Sequence, residues 1–172
     1  LARLPDDPDV LGVAGSMALL MGDADGAARA WRRLIDAGRA PPAVYNNAAW
    51  LELFRDPSGK NALDWARRAV DQARQRDHAS QNTLAAAYAE AGKAAEAREI
   101  FLRSIEGRGP LGAADWYVFG RIAEAWGRNT SARAAYARVE PGKEGGADDP
   151  TSAFHLARRR LDRLGPPAED AP

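Results

Sequence analysis

The chain has 172 residues, 45% of them hydrophobic, enough to build the core of one ordinary domain rather than leave the chain disordered. Its 24 basic and 24 acidic side chains cancel, so nothing calls for a polyanionic partner and nucleic-acid binding is not expected. There is no cysteine, which excludes disulfide and thiolate chemistry and leaves the compartment open.

Residues 1–7 read as the tail of a preceding repeat or as a linker, and a chain opening on Leu1 reads as part of a longer protein. Asp7 caps a first helix with Pro8 at its first position, and Gly22 ends it. Its uncharged run, Val10 to Gly22, is too short to span a bilayer, so no membrane insertion is expected. The acidic flank of Asp6, Asp7 and Asp9 is not that of a signal peptide. Such a helix should be buried on most sides, and Leu11, Met17, Leu20 and Met21 form a candidate surface for self-association at this end.

A second helix is predicted from about Asp25 to Ala37, stopped by Gly38, and a third from Pro41-Pro42 to near Arg55. Asp56-Pro57 opens a fourth, to about Arg76; the fifth spans Ala79 to Ala91 and the sixth Ala94 to Glu106. The seventh runs from Ala113 to Trp126, and the eighth from an Asn129 cap toward Pro141. Residues 141–150 read as a loop, residues 151–165 as a helix capping the C-terminal end, and residues 166–172 as a disordered tail. No segment alternates with period two, so no strand is expected.

Across these helices one pattern recurs. Ala27, Ala62, Ala97 and Ala132 stand 35 residues apart. Five residues before each is a turn breaker, Gly22, Pro57, Gly92 or Gly127, and four after each is Trp31, Ala66, Phe101 or Tyr136. A fixed period of this size marks one supersecondary unit copied in tandem.

The unit resembles the tetratricopeptide repeat, a 34-residue helix–turn–helix with the pattern W-x2-L-G-x2-Y, then A-x3-F, then P. The fourth unit carries Trp116, Phe119, Gly120 and Ala123, then Gly127, Ala132 and Tyr136; the third carries Leu84, Ala85, Tyr88, Gly92, Ala97 and Phe101. The first has Leu11, Gly15, Gly22, Ala27 and Trp31. The second diverges most, with Glu52 where a large apolar residue is usual. The resemblance covers residues 8–140 as four repeats, about 8–41, 42–77, 78–111 and 112–140. It implies an all-α, right-handed α-solenoid with a C-terminal capping helix. Gly15, Ala49, Ala85 and Gly120 should then let paired helices approach closely, and Trp31, Tyr88, Phe101 and Tyr136 should fill the space between units.

The resemblance also implies a concave groove lined by the first helix of each pair. Its rungs hold Gly12, Asn46, Asn82 and Tyr117; then Ser16, Trp50, Ala86 and Arg121; then Leu19, Leu53, Ala89 and Glu124. Asn46 and Asn82 can each donate to and accept from a peptide backbone. Their alternative is mutual bonding between helices, and that of Trp50 is core packing. Trp50 and Tyr117 suit an apolar side chain, and Arg121 a carboxylate. Asn46, Trp50, Asn82, Tyr117, Arg121 and Glu124 are the candidate partner-binding residues. Some family members clamp a chaperone's C-terminal carboxylate with lysine, arginine and asparagine; no first helix here carries lysine, so that specialisation is not expected.

Nothing points to catalysis. His78 and His155 have no metal-like companions at helical spacing, and SGKN at 58–61 lacks the glycine of a phosphate loop, since Phe54 stands in its place. No metal or cofactor is called for. Asn129-Thr-Ser is formally a glycosylation sequon, and the basic run at 158–163 reads as the wet face of the closing helix. The cations are 21 Arg and 3 Lys, a composition typical of high-GC bacterial genomes. The expected function is a non-catalytic scaffold binding a peptide or protein partner in the groove. The alternatives are a structural segment of a longer array with no groove ligand, and an accessory repeat domain of a larger, possibly enzymatic, bacterial protein.

Overall fold

A computed structural model describes residues 7–55, 60–74, 77–141 and 151–166. The described residues form helices only: α1 (Pro8–Leu20), α2 (Ala24–Asp36), α3 (Pro42–Arg55), α4 (Lys60–Gln72), α5 (His78–Glu90), α6 (Ala94–Ile105), α7 (Ala113–Ala125), α8 (Asn129–Tyr136) and α9 (Ala153–Leu164). None of them is long and apolar enough to cross a membrane. The predicted tail at 167–172, most of the loop at 142–150 and the Asp56-Pro57 helix start lie outside the described residues.

The turns inside the pairs explain the periodicity. Gly22, Gly92 and Gly127 take φ of +77°, +72° and +70°. Each is followed by the same backbone bond, Asp23 N to Ala18 O (2.8 Å), Lys93 N to Tyr88 O (2.9 Å) and Arg128 N to Ala123 O (2.9 Å). This is the glycine C-cap that reverses a chain, because a side chain at positive φ is strained.

The pairs α1/α2, α3/α4, α5/α6 and α7/α8 pack along their lengths. Ala27, Ala62, Ala97 and Ala132 are wholly buried, as expected of small residues at a helix crossing. Across from them the first and last units leave no room for a side chain. A Cβ on Gly15 would lie 2.3 Å from Trp31 Nε1, and one on Gly120 would lie 2.4 Å from Tyr136 Cε1. Ala49 and Ala85 are wholly buried; Trp31, Phe101 and Tyr136 are buried, and Tyr88 is half-buried. Glu52 is buried as well, facing Arg32 from α2 at 3.3 Å and Arg55 at 3.9 Å. An ion pair therefore stands at this crossing where the pattern expects an apolar contact. The architecture is all-α and helical repeat-like, each helix packing on its neighbours.

Several expectations need correction. α1 is not buried on most sides: only Leu11 and Gly15 are, and Val10, Val13, Met17, Leu20 and Met21 are exposed. Leu11 packs inward with Trp31 and Leu34, so it is no part of an outer surface. Ala18 and Leu19 are half-buried against the same core, and the outer apolar residues of α1 stay exposed because its principal packing is with α2 alone. Asn129 does not cap α8; it begins the helix, and Arg128 holds the cap position without a side-chain bond. α8 ends at Tyr136, and α4 at Gln72, where Arg74 takes φ +53°.

Candidate functional site

The odd helices form a row, with α3 on α5, α5 on α7 and α7 on α9, while α8 also packs on α9. The row is curled. α3 and α7 are separated by α5, yet the Trp50 and Tyr117 rings meet edge to face at 6.0 Å. α9 reaches α3 as well: Trp50 Nε1 donates to Thr151 O at 3.2 Å, and the Arg159 guanidinium lies 5.9 Å from the Phe54 ring. An inner face results, and the six candidate residues divide between its two halves.

At the C-terminal ends of α3, α5 and α7 the face is filled. Arg121 donates twice to Glu90, from Nε (2.6 Å) and Nη2 (3.0 Å), and pairs with Glu124 at 2.9 Å. Tyr117 Oη donates to Glu90 at 3.0 Å, and Tyr136 Oη to Glu124 at 2.7 Å. From α9, Arg160 completes the network, donating to Glu90 and lying 3.4 Å from Glu124. Burial alone would raise the Glu90 carboxyl, but Arg121 and Arg160 outweigh it and hold the group below the ordinary carboxylate range. Burial, then the Glu90 charge, pushes the Tyr117 phenol up. Burial would lower Arg121, yet Glu90 and its hydrogen bonds raise it, so the pair stays ionised. Tyr117 and Arg121 are buried, Glu124 is half-buried, and all three are satisfied internally.

At the N-terminal ends the face is open. A cavity of about 780 Å³ is lined by Asn46, Asn47, Trp50 and Leu51 of α3, by Asp77 to Ala79, Asn82 and Thr83 around α5, and by Gly112 to Asp115 around α7. Leu19, Arg108 and Thr151 complete the wall. Asn46, Trp50 and Asn82 are thus brought together, while Tyr117, Arg121 and Glu124 are not part of this space. No family model and no curated protein matches the chain.

The carboxylates of the cavity are committed to structure. Asp77 caps α5, accepting from Ala79 N (3.3 Å) and Ser80 N (3.1 Å). Asp115 accepts from Asn82 Nδ2 (2.7 Å), Arg108 Nη1 (3.2 Å) and Gly112 N (2.9 Å). Asn82 therefore bridges helices, to an aspartate rather than to another asparagine. Asn46 differs: its Nδ2 donates to Asn47 Oδ1 at 3.3 Å, and its buried Oδ1 has no partner among the described residues. Trp50 is half-buried and stands between the filled and open halves.

His78 is exposed at the rim, and His155 packs edge-on against Phe154 with Nδ1 3.1 Å from Ser152 Oγ. No group of metal-ligating side chains exists among the described residues. Sequence reasoning missed Glu90 and Asp115. Glu90 directly follows a groove rung position, Ala89, which is a usable signal; Asp115 carries none, because its side-chain partners Asn82 and Arg108 lie outside its own helix. Of the closing helix's expected wet face, Arg158, Arg159, Asp162 and Arg163 are exposed, whereas Arg160 turns inward to Glu90.

Proposed function

We propose that the chain is a tetratricopeptide-type right-handed α-solenoid, and that it acts non-catalytically by holding a short peptide segment of a protein partner in the open half of its inner face. The observation that carries this reading is the cavity where Asn46, Trp50 and Asn82 meet. Its volume of about 780 Å³ falls within the usual range of ligand sites. Trp50, Leu51, Ala79, Ala113 and Ala114 offer apolar surface to one or two side chains. The Asn46 Oδ1 lacks a donor, which a peptide N–H supplies after a small rotation of the amide. Asp77 and Asp115 are engaged in capping, which supports a binding role over proton transfer. Peptides selected from a random display library should bind the intact chain and lose affinity on Asn46→Ala and on Ala79→Trp, which places an indole at the cavity wall. Selection of no peptide, or of peptides indifferent to both substitutions, refutes the reading.

With α9 in place, the filled half favours a second reading, a structural segment of a longer array, for that region alone. There Tyr117, Arg121 and Glu124 already satisfy one another.

A further inference from the structure

The filled half owes part of its filling to α9, a helix docked by one face. Leu156 and Ala157 are buried, Phe154, Leu161 and Leu164 are half-buried against the core, and Arg160 pairs with Glu90. Its ends are fixed through backbone carbonyls, Thr151 O by Trp50 and both Leu164 O and Pro166 O by Arg133. Contacts to carbonyls are independent of side-chain identity. Between α9 and the floor a space of about 250 Å³ remains, lined by Leu53, Phe54, Glu90, Tyr117 and Arg121 on one side and by Leu156, Arg159, Arg160 and Arg163 on the other. The floor is acidic in sum: Glu90 and Glu124 face one floor cation, Arg121, and the balancing charge comes from Arg160.

We propose that this floor is a second binding surface, and that its external ligand is a basic amphipathic helix that replaces α9. The resident helix defines the pattern: an apolar residue at the place of Leu156, then cations three, four and seven residues on, where Arg159, Arg160 and Arg163 stand. This is helix-in-groove recognition, with anchors on one helical face. A ligand with a bulkier apolar anchor fills the space that α9 leaves. Until it binds, α9 competes from within the same chain, and a short tether gives it an effective concentration on the order of millimolar. The floor adjoins the cavity at Thr151, whose carbonyl Trp50 holds, but Asn46 and Ala79 line the cavity alone, so either assignment can fail without the other.

The test uses a fluorescein-labelled synthetic peptide with the sequence of residues 151–166, titrated by anisotropy into the full chain and into its Leu156→Ala/Arg160→Ala variant. The variant should bind the peptide about tenfold or more tightly than the unaltered chain, since the internal competitor is loosened. Binding should weaken with salt, vanish for a peptide carrying Arg160→Glu, and be unchanged by Ala79→Trp. On the unaltered chain, saturating peptide should remove amide-exchange protection from α9 while α5 and α7 keep theirs, a measurement that does not depend on the variant's folding. Equal affinity for chain and variant, no binding to either, or undiminished α9 protection at saturation overturns the proposal. So does a dimer in which two chains exchange α9 and the peptide cannot compete.

Discussion

Two glycines on one helix, three residues apart, should respond to alanine with opposite sign. A Cβ on Gly15 would stand 2.3, 2.6 and 2.9 Å from Nε1, Cδ1 and Cε2 of Trp31, while a Cβ on Gly12 meets nothing within 4 Å. Trp31 is wholly buried, so its rigid ring has nowhere to go. Overpacking of this kind costs about 1–3 kcal/mol, and a clash with the middle of a ring belongs at the upper end. Replacing a helical glycine returns about 1 kcal/mol of backbone propensity at either site. Gly15→Ala should therefore lose about 2 kcal/mol net, and Gly12→Ala should gain up to about 1 kcal/mol. With a urea dependence of about 2 kcal/mol per molar, the two midpoints should lie about 1–1.5 M apart, with the parent between them. Urea unfolding followed by circular dichroism measures this. Coincident midpoints, or Gly15→Ala above the parent, would show that the α1–α2 crossing is not set by the indole against the glycine.

Other substitutions probe the remaining contacts. Arg121→Met leaves Glu90 buried with Arg160 as its sole remaining cation among the described residues, and should cost about 3 kcal/mol in chemical denaturation; Glu90→Gln in the same chain should recover much of it. Because the folded-state pKa of Glu90 lies below its ordinary value of 4.5, its contribution is fully present above that pH and is lost as pH falls through the lowered value. An acid titration of stability should show this loss in the parent and a smaller one in Glu90→Gln. Ala97→Leu should overpack the α5–α6 crossing and lower stability by about 1–3 kcal/mol, read from thermal melts. Leu20 and Met21, 83% and 81% exposed, should accept lysine with a change within about 0.5 kcal/mol, against the cost of a core position.

The pairs were legible because the first, third and fourth units write the same local instructions. A glycine at positive φ, an alanine at the crossing and a small residue opposite a ring act within some 35 residues, so the periodicity carries them directly. Asn82 and Trp50 both line the open cavity. Register could not say that Asn82 bonds Asp115 from the next pair, or that Trp50 donates to Thr151, a separation of 101 residues. The Asn129 cap failed because a side chain suited to capping does not fix which residue holds the cap. The fourth helix was drawn too long because its arginine-rich end carries no glycine, and Arg74 takes the left-handed turn itself.

What the repeat pattern omits is curvature, which accumulates from small rotations between units and is not encoded in any one of them. Curling brings α3 and α9 together, so it decides whether an inner-face residue meets water, a ligand or another helix. Side-chain size then settles each half. Trp50, Phe54, Tyr117 and Arg121 are long enough to meet across the interior, and they close it. At the other ends of the same helices, Asn46, Ala79, Asn82, Ala113 and Ala114 are short, and a cavity remains. Closure also gathers two carboxylates that solvent no longer screens, and Arg121 and Arg160 answer that charge within the fold. An arginine on the closing helix is thus bound to the interior by the same curl that leaves Asn46 lining an open cavity.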